Sequence, residues 1–190
     1  QLAQPSVAVC LNASAAHLVN YESVDEIAST KGEILEGLGG EGLAIINADQ
    51  PWVGQWIKQA GNARKITFGL SEKADYRAIN IQYQGLNGTQ FDLIAPSMAL
   101  PVSLRLPGAM QVINALAALA VAIELGVPPD SAVDGLRQVV PEIGRGSVVA
   151  GRAGGRVVDD SYNANPAAVM AAIDTLARES AYSMLILGPM

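Results

Sequence analysis

The sequence predicts an α/β fold: a mostly parallel sheet with an antiparallel edge, followed by the start of a second α/β unit. Three observations carry this. Short strands at residues 7–11, 43–46 and 65–70, the first two apolar throughout, alternate with stretches of helical periodicity, the pattern of parallel strands covered by helices. Residues 76–84 and 90–94 flank Asn87-Gly88, a strong hairpin signal, and residues 101–106 add another short strand. The stretch Pro141-Glu142-Ile143-Gly144-Arg145-Gly146 reads as a boundary, dividing the chain into residues 1–143 and 144–190.

In chain order, the run 7–11 is continuous, as expected of a strand buried on both faces, and empties into a small-residue loop at 12–18. Ser23 opens a helix to residue 38, and Glu26, three residues on, completes a capping box. Ile27, Ile34, Leu35 and Leu38 recur along it at helical spacing. The strand 43–46 closes on Asn47-Ala48-Asp49, and Pro51 opens a helix to residue 60. Residues 110–125 form a helix whose stretch 112–123 is apolar on every side except at Asn114, which predicts a buried helix. Pro128-Pro129-Asp130 starts a shorter one to residue 140. After the boundary come a hairpin around Gly154-Gly155, a polar turn, and a helix capped by Asn165 with Pro166 at its first position. Residues 183–187 read as the next strand, completing a β-α-β unit.

The totals narrow the function. Net charge is −6 with no basic run, which argues against a nucleic-acid partner. The one cysteine, Cys10, allows no disulfide framework and fits a reducing, cytoplasmic setting. No apolar run approaches the roughly 20 residues of a membrane helix, so no membrane insertion is expected. The chain begins at Gln1 without a signal pattern and stops just after a predicted strand, so a fragment of a longer protein is expected.

The stretch Asp159-Asp160-Ser161-Tyr162-Asn163-Ala164-Asn165-Pro166 concentrates polar chemistry between a strand and a helix, where α/β folds bind ligands. Alternate strand residues face opposite ways, so one acid serves the fold and the other, Asp160, faces the cleft. Tyr162 and Asn163 are candidates for nucleotide or phosphate contact, against the alternative of a solvated turn. Arg145 offers a planar fork of donors to phosphate, or is a surface arginine. Asn114 is either bonded to a neighbouring loop or in contact with a ligand. Lys31 is either a solvated helix lysine or a reactive amine. His17, the one histidine, can ligate a metal, although a loop histidine is more often without a role. The phosphate-cradling Gly-x-x-x-x-Gly-Lys-Ser/Thr is missing, since the lysines follow Thr30, Ile57, Arg64 and Glu72.

Taken together these motifs resemble the Mur ligase family, and most specifically its D-alanyl-D-alanine-adding members. The 159–166 stretch is similar to their signature. Residues 12–18 resemble the family's Thr-Asn-x-x-x-x-His-Leu segment, and residues 28–34 its Ala-x-x-Lys-Gly-Glu-Ile segment. Asn47-Ala48-Asp49, residues 114–118 and Gly144-Arg145 match in the same order. The resemblance implies the later part of a P-loop ATPase-like central domain joined to the start of a Rossmann-like C-terminal domain. It implies an ATP-dependent ligase that joins D-alanyl-D-alanine to UDP-N-acetylmuramoyl-tripeptide through an acyl phosphate, working as a monomer in peptidoglycan precursor synthesis.

By the same resemblance Lys31 is carbamylated and, with His17, holds Mg2+ in the catalytic site. Asn114, Arg145, Asp160, Tyr162 and Asn163 contact ATP. The family's Gly-Arg-His-Asn is Gly108-Ala109-Met110-Gln111 here, and its Gly-Asp-Met is Gly188-Pro189-Met190. The alternatives are another Mur or folylpolyglutamate-type ligase, or a non-catalytic binding module; the 190 residues alone are expected to be inactive.

Overall fold

The computed structural model describes residues 4–15, 21–179 and 182–188. Strands β1 (Val7–Cys10), β2 (Leu43–Asn47) and β3 (Arg64–Gly69) run parallel, and β4 (Tyr76–Tyr83) continues the parallel order through two residue pairs, Phe68 with Tyr76 and Gly69 with Arg77. β5 (Thr89–Ala95) and β6 (Met98–Leu104) add the expected antiparallel edge, giving one six-stranded sheet in sequence order.

Both faces of the parallel part are covered around β2, which is why that strand reads as a continuous apolar run. In β2, Ala44 and Ile46 face α1 (Val24–Glu36) and α2 (Val53–Gln59), while Leu43 and Ile45 face α3 (Ala109–Glu124) and α4 (Pro129–Gln138). α1 starts as its capping box directs: the Ser23 hydroxyl accepts the Glu26 N–H at 3.1 Å. The Glu26 carboxylate reaches back to the Glu22 N–H at 2.7 Å. Gly32 lets α2 come close, because a Cβ there would overlap the Gln59 and Trp56 side chains. The Trp56 indole donates to the Ala28 carbonyl at 2.8 Å across that contact. Among the described residues no helix is long and apolar enough to cross a membrane.

The hairpin at Asn87-Gly88 forms as expected, its turn a 3₁₀ segment Gly85–Asn87. Gly88 has φ +116°, and a side chain there would strike the Leu104 carbonyl, so the turn residue is dictated by both backbone and space.

Two expectations change. α3 is not buried all round: Val112, Ala115, Leu116, Ala117, Leu119 and Ala120 form the buried face, and Asn114 and Ala118 are exposed. Its apolar content is largely alanine, which favours a helix without requiring burial. The strand expected at 183–187 is not formed either: residues 182–188 have no regular structure, and Met184 and Ile186 are 83% and 85% exposed. A strand needs a partner edge and a covered face, and neither forms here. The second unit is a hairpin of β7 (Ser147–Ala150) and β8 (Arg156–Asp159), then α5 (Pro166–Leu176), whose Asn165 cap accepts the Ala168 N–H at 2.9 Å.

Candidate functional site

The first group of candidate residues sits at the carboxyl ends of β1 and β2, the edge where open α/β sheets bind ligands. Asn47 ends β2 and is buried. Its amide donates to the Leu11 carbonyl at 2.7 Å, and its Oδ1 accepts the Asp49 N–H at 2.9 Å, so it ties the two strand ends together. Asp49 then takes the Leu70 and Ser71 N–H groups at 2.7 and 2.8 Å, fixing the turn after β3. The Asn47-Ala48-Asp49 stretch is therefore scaffold, a role visible in sequence only as polar residues at a strand end.

Lys31 projects from α1 over this edge, exposed, and its Nζ donates to the Asn12 carbonyl at 2.9 Å. With Cys10, Asn12 and Trp56 it lines a cavity of about 300 Å³. Cys10 lies beneath, and burial pushes its thiol up to about 11 against the opposing effect of the Lys31 charge. His17 falls in 16–20, outside the described residues. Among the described residues no cluster of three or more His, Cys, Asp or Glu side chains could hold a metal.

The second group lies after the boundary. The Arg145 guanidinium stacks over the Tyr162 ring, 3.9 Å from its centroid. Main-chain bonds hold this pair: the Tyr162 N–H donates to the Gly144 carbonyl at 3.0 Å, and the Gly146 N–H to the Asp159 carbonyl at 2.8 Å. Gly144 has φ +76° and sits against Tyr162, so a glycine is needed at the crossing. Of the two acids the fold uses Asp159. The Ser161 hydroxyl and N–H hold its carboxyl below the usual carboxylate range. Asp160 and Asn163 are exposed and, among the described residues, make no hydrogen bond or ion pair.

Asn114 corrects the buried-amide expectation. It is exposed on α3, and its amide donates to Gln111 Oε1 at 3.3 Å. The structure thus joins Arg145 to Tyr162 and Lys31 to Asn12. No hydrogen bond, ion pair or ring contact among the described residues links Lys31 or Asn114 to the Arg145 group.

Residues 1–122 match the family model described as the Mur ligase middle domain. The chain belongs to the Mur ligase family. It is 35% identical over 191 residues to the UDP-N-acetylmuramoyl-tripeptide–D-alanyl-D-alanine ligase of Escherichia coli K12, covering 100% of this chain and 42% of that protein. The crystal structure of MurF from Acinetobacter baumannii superposes with a TM-score of 0.87 at 32% identity, over 93% of this chain and 38% of that one. MurF ligase from Thermotoga maritima, solved in complex with ADP, matches with a TM-score of 0.79 at 29% identity, over 93% of this chain and 40% of that one. The chain spans about two fifths of the length of these Mur ligases.

One motif in this Mur ligase chain points the wrong way. Residues 37–42 spell Gly-x-Gly-x-x-Gly, yet they lead from α1 into β2, the reverse of the strand-to-helix order a dinucleotide site uses. Sequence reasoning also passed over Asn12 and Cys10 as neighbours of Lys31. They lie far from it along the chain and meet it only through the packing of α1 on β1.

Proposed function

We propose that this chain forms part of an ATP-dependent amide ligase that joins D-alanyl-D-alanine to UDP-N-acetylmuramoyl-tripeptide. Residues 1–143 belong to its central domain and residues 144–190 to the following one. The observation that carries this is Lys31, set at the ligand-binding edge of a Mur ligase sheet with its amine facing an open cavity. The name of the relative from Escherichia coli supports the substrate pair, and the ADP complex from Thermotoga maritima supports the nucleotide.

In this reading ATP phosphorylates the tripeptide carboxylate, and the dipeptide amine attacks the acyl phosphate, releasing phosphate. The chain's own groups position the reactants and balance charge. The neutral Lys31 amine adds CO2 to give a carbamate and a proton, and its remaining N–H keeps the bond to the Asn12 carbonyl. The cation Mg2+ would supply neutralisation of the transferring phosphoryl charge. The donors fit it: a carbamate at Lys31 and the oxygens of Asn12 are hard ligands, of the kind Mg2+ combines with phosphate oxygens and water. His17 is proposed beside them. Arg145, held over the Tyr162 ring, offers parallel donors to phosphate. Asp160 is assigned the ribose hydroxyls, and Asn163 and Asn114 the nucleotide and its phosphates. All these residues come from one chain, so a monomer suffices, and we place the reaction in the cytoplasm, where ATP is available.

The test uses the full-length parent protein with ATP, UDP-N-acetylmuramoyl-tripeptide and D-alanyl-D-alanine. Phosphate release should depend on the dipeptide, and its independence would sink the reading. Lys31→Ala should abolish turnover, with partial recovery on adding small carboxylic acids. Wild-type rates in Lys31→Ala would overturn the carbamate.

A further inference from the structure

The second unit meets the first at the β4–β5 turn, through residues that none of the candidate site motifs includes. Glu179, just past α5, accepts the Leu86 N–H at 2.6 Å with one carboxylate oxygen and pairs with Arg156 of β8 through the other. Arg156 also donates to the Asn87 side-chain carbonyl at 3.1 Å. The Arg178 guanidinium lies over the Tyr83 ring, 4.6 Å from its centroid. Gly85 makes room for the contact, since a Cβ there would overlap the Glu179 carboxylate. The Glu179 side chain is 13% exposed, so these partners stand in for most of the water it would otherwise contact.

We propose that Glu179 and Arg156 form a releasable latch that seats the hairpin–helix unit on the β4–β5 turn, and thereby sets where the Arg145–Tyr162 pair stands relative to the Lys31 crevice. Its consequence for catalysis rests on the ligase reading above.

Two features make the seat releasable. No hydrophobic residue after Val133 is buried among the described residues, and the contacts made with the β4–β5 turn come from the polar side chains Glu179, Arg156 and Arg178. The connection before it is short and, among the described residues, is bonded only at its ends, Val139 N–H to the Leu136 carbonyl at 3.1 Å and Arg145 N–H to the Glu142 carbonyl at 3.0 Å. Residues 139–142 have no regular structure, and Val139 and Val140 are exposed. Gly144 and Gly146, by contrast, are bonded to Tyr162 and Asp159. The pivot therefore falls within 139–142, and everything from Gly144 through Tyr162 moves as one piece. A latch of charges also responds to salt, though less than a fully exposed pair would, because Arg156 is half exposed while Glu179 is nearly covered.

The experiment measures the distance between spin labels at Lys58→Cys on α2 and Asp174→Cys on α5, both exposed, in the full-length parent protein without nucleotide. At about 0.1 M salt the latched protein should give one narrow distance distribution. Glu179→Gln, and independently Arg156→Gln, should shift part of it into a second population. So, to a smaller extent, should wild-type protein at about 1 M KCl, where the Debye length falls to about 3 Å and salt ions compete for the half-exposed Arg156 once the pair opens, and this arm needs no variant to fold. The KM for ATP should rise more steeply with salt in the wild type than in Glu179→Gln, which keeps only the screening of the phosphate contacts themselves. A narrow, unchanged distribution in both variants and at high salt would overturn the latch, whatever the enzyme turns over. A distance that responds in a protein without dipeptide-dependent phosphate release keeps the latch and removes the ligase reading.

Discussion

The two halves of the candidate site rest on very different foundations. The Lys31 crevice stands on β1 and β2, strands covered on both faces, with Ala44, Ile45, Ile46, Trp56 and Leu35 fully buried around it. The Arg145–Tyr162 pair stands on a two-stranded hairpin and one helix, and a two-stranded hairpin is marginal by itself in water. The first half is held by apolar burial, which is dense and non-directional. The second is held by a few backbone bonds, a stacked guanidinium and the Glu179 seat. One half of the site is thus shaped by its own core, while the placement of the other depends on what it is seated against. That division suits a site whose two halves must come together around a substrate.

The sharpest way to break this contrast is to damage the first core. Trp56 is fully buried, packs over Gly32 and donates to Ala28, so Trp56→Ala should cost about 3–5 kcal/mol of stability. Denaturant unfolding of the parent protein measures it. A loss below about 1 kcal/mol would mean that α1, and Lys31 with it, is held by something other than this core.

A smaller effect separates the halves by pH. Cys10 under the crevice is raised from 9.0 to about 11 by burial. A raised thiol pKa means that the stability it contributes is whole below pH 9.0 and is lost as pH rises from there through about 11. Tyr76, buried and bonded to Glu124, shifts in the same direction. In the second unit Asp159 is lowered by its Ser161 bonds, so its contribution is present at neutral pH and lost as pH falls through its own depressed value. The first region is therefore sensitive to base and the second to acid. Iodoacetamide reports the first: at pH 8 native Cys10 should react about 100-fold more slowly than an unperturbed thiol, and at the ordinary rate in urea. Equal rates in both would show that the crevice floor opens readily.

The contrast also explains what could be read in advance. Chemistry within a few residues was legible: the Ser23–Glu26 cap, the Asn87-Gly88 turn and the Asn165-Pro166 helix start are local contracts between a side chain and the nearest backbone. Alternating apolar runs and helices were enough for the mostly parallel sheet with its antiparallel edge. Burial was less legible where alanine dominates, so Asn114 read as a buried amide although tertiary packing leaves that face of α3 open. Residues 183–187 have the composition of a strand, but pairing belongs to a partner and not to composition. The site was legible as motifs and not as geometry. Nothing near Lys31 in sequence points to Asn12, and nothing near Glu179 points to Leu86, a partner 93 residues away.

The smallest effect gives the cleanest comparison, because it applies the same chemistry to both halves. Ser23 caps α1 by accepting an N–H at 3.1 Å, and Asn165 caps α5 by accepting one at 2.9 Å. Replacing either by alanine should cost about 1 kcal/mol. In α1 the helix is packed through Ile27, Ala28 and Leu35 into a continuous core, so Ser23→Ala should appear in full as a loss of global stability. In α5 no hydrophobic residue is buried among those described, so the helix can fray without unfolding the sheet. Asn165→Ala should leave the global transition nearly unchanged and instead speed amide exchange about fivefold across Pro166–Leu176, the factor to which about 1 kcal/mol corresponds. Exchange measured on both variants decides it. If Asn165→Ala lowers global stability as much as Ser23→Ala does, the hairpin–helix unit shares one cooperative core with the sheet, and its seat at the β4–β5 turn is not a separable latch.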